Sequence, residues 1–79
     1  MAWLVHLGNG FLADWYVVQR LRRLLERGAR FVPTDDGRYR VEPRGLVTAA
    51  DRAFFADSYH RKEARRVVAY LADKRVRLD

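Results

Sequence analysis

From Phe11 to Arg27 the apolar residues Phe11, Val17, Val18, Leu21, Leu24 and Leu25 share one face when the chain is advanced by about 100° per residue. Tyr16, Gln19, Arg20, Arg23, Glu26 and Arg27 fall on the other side. The spacing predicts an amphipathic helix over 11–27. Asn9 and Gly10 punctuate its start, and Gly28 follows a basic last turn at the place where a left-handed C-terminal cap belongs.

From Ala29 to Pro43 the period drops to two, and Asp35-Asp36-Gly37 interrupts the alternation as a turn signal. A β-hairpin is expected. A tight Asp36-Gly37 turn would pair Phe31 with Glu42. A longer loop with Gly37 in a left-handed conformation pairs Phe31 with Val41 and Pro33 with Tyr39. The second register is preferred, because it sends Ala29, Phe31, Tyr39 and Val41 inward together and leaves Arg30, Val32, Thr34, Arg38, Arg40 and Glu42 outside.

Pro43, Arg44 and Gly45 end the hairpin, and Thr48-Ala49-Ala50-Asp51 has capping-box spacing, so a second helix begins there. Its Ala50, Ala53 and Phe54 cannot share a straight cylinder with Ala64, Val67, Val68 and Leu71, which places a break near Asp57 or Ser58. A third helix over about 59–72 then buries the second set and shows Lys62, Arg65, Arg66 and Asp73 to water. Trp3, Leu4, Val5 and Leu7 read as a short strand or irregular arm covering the core. Residues 74–79 read as a charged tail in which Val76 and Leu78 alternate. The expected architecture is a single α+β domain: an arm over 1–10, an αββαα core over 11–73 and the tail.

Composition narrows the class. A chain of 79 residues buries only roughly 60% of its unfolded surface, which leaves one thin core. A hydrophobic fraction of 49% is nevertheless too high for a disordered chain, although 33% of residues are charged. There is no cysteine, so neither a disulfide nor a thiolate metal site reinforces that core. The apolar runs 2–7 and 15–18 are far short of a membrane span, and 1–10 lacks the features of a signal peptide, so a cytoplasmic protein that does not enter membranes is expected.

Candidate catalytic chemistry is thin. Ser58 is the only serine, and its neighbours Asp57 and His60 read as the break between helices. His6 and His60 lack the spacing of a metal set, and Gly8-Asn9-Gly10 reads as a tight turn because it has neither the longer glycine pattern nor the Lys-Ser/Thr of a phosphate loop. Asp35 and Asp36 sit at an exposed turn, where no burial would raise a carboxyl pKa. No enzyme activity, cofactor or metal is expected, and binding is the expected task.

The net charge of +6 comes almost wholly from fourteen arginines, accompanied only by Lys62 and Lys74, and it favours an anionic partner. On the hairpin's outer face Arg30, Arg38 and Arg40 surround Val32 and Thr34, an array suited to carboxylates or phosphates. An edge strand there can accept an extended peptide. Tyr16, Arg20, Arg23 and Arg27 make a possible second basic face on the first helix, and Lys62, Arg65 and Arg66 a third.

Leu24-Leu25-Glu26-Arg27-Gly28-Ala29-Arg30-Phe31, then Gly37-Arg38-Tyr39-Arg40-Val41, Pro43-Arg44-Gly45-Leu46-Val47-Thr48, Lys62-Glu63 and Ala69-Tyr70-Leu71 together resemble the TubC-type N-terminal docking domains of nonribosomal peptide and polyketide synthases. The resemblance implies an αββαα fold and a non-enzymatic task, in which the exposed hairpin receives an acidic segment of an upstream synthase subunit. On this chain Arg30, Val32, Arg38 and Arg40 would be the receiving surface. Two readings stay open: a protein-docking module, with a homodimer formed through exposed apolar residues of the arm as one option, and a small basic nucleic-acid-binding or phage or mobile-element accessory protein, inhibitors included.

Overall fold

The structure, a computed structural model, describes residues 3–8 and 10–74, which build two antiparallel hairpins and three α-helices. The expected tail over 75–79, with its alternation of Val76 and Leu78, lies outside the described residues. The architecture is the expected α+β one, an αββαα core preceded by one further hairpin.

That first hairpin corrects the expected start of the helix. Strands β1 (Leu4–His6) and β2 (Leu12–Asp14) pair with Val5 opposite Ala13, and helix α1 (Trp15–Glu26) begins only after them. The cause is Asp14, whose Oδ1 accepts from the amides of Tyr16 at 2.9 Å and Val17 at 3.4 Å and so caps the helix N-terminus. Phe11 is in helical phase with Val18 and Leu25, yet it reaches the core from the hairpin and stacks on Tyr70 with ring centroids 3.9 Å apart. Gly8 and Gly10 turn the hairpin at φ 119° and 76°.

α1 buries Val17, Val18, Leu21 and Leu24 and ends as expected at Gly28. With Gly28 at φ 95°, its amide bonds Leu25 O at 2.9 Å and the Ala29 amide bonds Leu24 O at 3.0 Å, the paired bonds of a Schellman cap. Strands β3 (Arg30–Pro33) and β4 (Tyr39–Glu42) follow in the preferred register, Phe31 opposite Val41 and Pro33 opposite Tyr39, with Gly37 at φ 79°. Ala29 is buried, and Phe31 and Tyr39 pack on the core.

A 3-10 turn (Arg44–Leu46) leads into helix α2 (Ala49–Phe54). The capping box is complete: the Thr48 hydroxyl accepts from the Asp51 amide at 3.1 Å, and Asp51 accepts from the Thr48 amide at 2.9 Å. Ala50 and Ala53 are exposed, and the side chain that α2 buries completely is Asp51. The break falls where the phase change required it. Asp57 caps helix α3 (Ser58–Lys74) by accepting from the amides of Tyr59 and His60. The His60 ring stacks on Phe54 at 3.9 Å, and its Nδ1 donates to the Phe54 carbonyl at 2.7 Å.

The core lies between α1 and α3, built on Ala13, Val17, Val18, Leu21, Val67 and Val68. A polar clasp fixes β2 to α3 beside it. Glu63 accepts the Asp14 amide at 2.9 Å, and Tyr59 donates to Asp14 Oδ2 at 3.0 Å. Arg66 grips Glu63 at 2.8 Å, bonds the Leu12 carbonyl and covers the Phe11 ring. The Arg66 bond, opposed by partial burial, holds the Glu63 carboxyl below its usual range.

Candidate functional site

Of the expected receiving residues, Arg30, Val32 and Arg40 lie on β3 and β4, whereas Arg38, in the turn between them, lines the cleft behind the hairpin and departs from the expected outward placement. Arg30 and Arg40 are exposed and Val32 is half-buried between them. Arg30 has no ion-pair partner among the described residues. Arg40 pairs with Glu42 at 2.8 Å, and Arg38 lies 3.8 Å from Asp36. Asp36 is itself bound by the Thr34 hydroxyl and the Arg38 amide, which lower its pKa. Asp36 therefore helps to build the turn.

Hydrogen-bond parity decides which edge of the hairpin is open to a further strand. The Thr34 amide bonds the Arg38 carbonyl at 2.9 Å, so 34/38, 32/40 and 30/42 are the bonded pairs. The backbone groups of Phe31, Pro33, Tyr39 and Val41 then point away from the hairpin. On β3 the outward position 33 is proline and has no N–H, whereas β4 offers both N–H and C=O at Tyr39 and Val41. No other strand pairs with β4 among the described residues.

Behind the hairpin lies a cleft of about 630 Å³, between its inner face and helices α2 and α3. Phe31, Tyr39, Val41, Val47, Phe55 and Val68 supply apolar lining, and Arg38, Arg52, Arg61, Lys62 and Arg65 supply the cations. Ser58, Arg61, Lys62, Ala64, Arg65 and Val68 come from one side of α3. The cleft's one carboxylate is Asp51, which is fully buried and gripped by Arg20 at 3.3 Å and Arg27 at 3.1 Å. Burial alone would raise the Asp51 pKa, but bonds from the Thr48 amide and hydroxyl, Arg27 and Arg20 outweigh it and hold the carboxyl well below its usual range.

The remaining basic residues are sorted differently from the sequence expectation. Of Tyr16, Arg20, Arg23 and Arg27, the structure turns Arg20 and Arg27 toward Asp51 and leaves Tyr16 and Arg23 exposed, so two of the three charges are spent inside the fold. Lys62 and Arg65 line the cleft, whereas Arg66 belongs to the Glu63 clasp. Arg52 and Arg61 were missed as partners of Lys62 and Arg65. A sign of them existed in the spacing of 58, 61, 62 and 65 on one helix, but the approach of α2 is tertiary information.

Gly8 and Gly10 flank a hairpin turn, separated from the start of α1 by β2, so the anion-binding geometry of a phosphate loop is not formed. His6 is exposed on β1, opposite Leu12. No group of three potential metal ligands occurs among the described residues, and none of their helices is long and apolar enough to cross a membrane. No family model, curated protein or solved structure matches the chain.

Proposed function

We propose that the protein is a non-catalytic docking module that takes a short, extended, acidic segment of another protein along the hairpin β3–β4. The observation that carries this reading is the register. It places Arg30, Val32 and Arg40 together on a solvent face and aims the free backbone groups of Tyr39 and Val41 along an unpaired edge. Backbone bonds to β4 would supply affinity irrespective of side chains, and the guanidinium groups would select carboxylates by charge-assisted contacts. The likeness to TubC-type docking domains supports the same task, since helix, hairpin and two further helices follow one another here in the order that likeness implies.

Titration of the isotope-labelled protein with a short synthetic peptide of alternating glutamate and valine tests the reading by NMR. Amide shifts are expected at Tyr39 and Val41, and Arg30→Glu with Arg40→Glu should weaken binding roughly tenfold or more with unchanged circular dichroism. Equal binding by the double variant would refute it. Binding of unrelated DNA instead, falling steeply with salt, would favour the nucleic-acid reading.

A further inference from the structure

We infer that the cleft behind the hairpin is a second binding site, for a soluble amphiphilic anion: an apolar chain or ring system ending in a carboxylate, sulfonate or phosphate. The inference concerns a different surface from the docking face and does not rest on it.

Shape is the first argument. A volume of about 630 Å³ lies within the roughly 300–1,000 Å³ of small-molecule sites, which are mostly apolar with a few polar groups at defined places. The cleft opens to solvent, so Phe31, Val41, Val47 and Phe55 present apolar surface to water along it, and an apolar guest would cover that surface.

Charge is the second. Arg52, Arg61, Lys62 and Arg65 have no carboxylate partner among the described residues. Two of them are nevertheless held in place. Arg52 donates to the Val47 carbonyl at 3.1 Å, and Arg61 donates to the carbonyls of Phe55 at 3.0 Å and Ala56 at 2.8 Å. These contacts use one nitrogen of each guanidinium and leave further donors free. The one acid in the lining, Asp51, is already neutralised by Arg20 and Arg27 and cannot serve as counter-charge to the rim. Cations of one sign around a low-dielectric concavity focus their field into it. A simple hydrated anion would leave the apolar lining uncovered and a neutral hydrocarbon would ignore the rim, whereas an amphiphilic anion satisfies both.

The test uses 8-anilinonaphthalene-1-sulfonate and its uncharged relative N-phenyl-1-naphthylamine as fluorescent probes of the full chain. Saturable binding of one sulfonate probe per chain is expected, with displacement by laurate below its micellar concentration. Arg61→Gln with Lys62→Gln and Arg65→Gln should weaken the sulfonate about tenfold while leaving the neutral probe nearly unchanged. Ala64→Trp should exclude both probes; if that variant loses its helical circular dichroism, Val47→Trp serves the same purpose. Arg30→Glu with Arg40→Glu should leave probe binding intact, which separates this site from the docking face. Undiminished sulfonate binding in the triple-glutamine variant would overturn the inference. So would failure of laurate to compete, or recruitment to phosphatidylglycerol vesicles without affinity for free laurate.

Discussion

Replacing Asp51 by alanine should cost this small domain a large part of its stability. The carboxylate is wholly inaccessible and joins two helices: it caps α2 through Thr48, and it binds Arg20 and Arg27 of the first helix and its cap. Removing one member of a buried ion pair costs about 3–5 kcal/mol, and loss of an N-terminal capping interaction about 1 kcal/mol. The two arginine side chains remain 24% and 33% exposed, so water can rehydrate them once the anion is gone, which moves the sum toward about 3 kcal/mol. A domain of 79 residues has roughly 4–12 kcal/mol in total, and about 3 kcal/mol corresponds to a fall in melting temperature of about 12–24 °C. Thermal unfolding followed by far-UV circular dichroism at neutral pH measures it. Asp51→Asn, which keeps an acceptor and loses the charge, should fall between wild type and alanine. Acid supplies a second arm. Because the folded pKa is depressed, the contribution is fully present above the usual carboxylate range, and it declines as pH falls below about 4 toward the folded value. The wild type should therefore lose stability in acid more steeply than the asparagine variant. A fall of less than about 4 °C for alanine, or identical acid profiles, would refute the assignment of Asp51 as the joint of α1 and α2.

Gly28→Ala places a Cβ at φ 95°, and since nothing lies near that Cβ the cost is the left-handed backbone alone, about 1–2 kcal/mol; a melting temperature within 2 °C of wild type would contradict it. Tyr59 donates to Asp14, and that bond, partial burial and the nearby charges of Asp14 and Glu63 raise its phenol pKa above 10. Its contribution is present below pH 10 and lost as pH rises through the folded value, so a late component of phenolate absorbance, above pH 10, should disappear in Tyr59→Phe. If the phenylalanine variant instead retains that late component, the Asp14 bond is not what shifts it.

What was legible in the sequence was whatever a local rule could reach. The register of β3–β4 follows from a period of two and a glycine at the left-handed position, and the Schellman cap follows from Gly28. The separation of α2 from α3 follows from two apolar sets that no single cylinder can align. The start of α1 was misread because Phe11 satisfies the helical phase by coincidence, while the stronger signal was the capping side chain of Asp14. β1 and β2 are three residues each, too short for alternation to declare them. The cleft was not legible, because its cations arrive from the turn before β4, from α2 and from α3 and meet only after folding.

The fold itself explains why an arginine-rich chain ends with its free charge in particular places. Asp51 and Glu63, the carboxylates that α2 and α3 turn inward, draw Arg20, Arg27 and Arg66 into clasps that hold α1 and β2 against the later helices. Those arginines stabilise the architecture and cannot recruit a partner without weakening it. The acids of the second hairpin occupy Arg38 and Arg40 only at its exposed rim, where an ion pair is worth less than about 1 kcal/mol and a competing carboxylate can exchange for it. Arg30 on the strand face and Arg52, Arg61, Lys62 and Arg65 around the cleft are left with no acid to meet among the described residues. The two proposed binding surfaces therefore lie on opposite faces of one hairpin, the outer carrying Arg30 and Arg40 and the inner lining the cleft, and Arg38 stands between them, beside Asp36 at the turn and in the cleft lining.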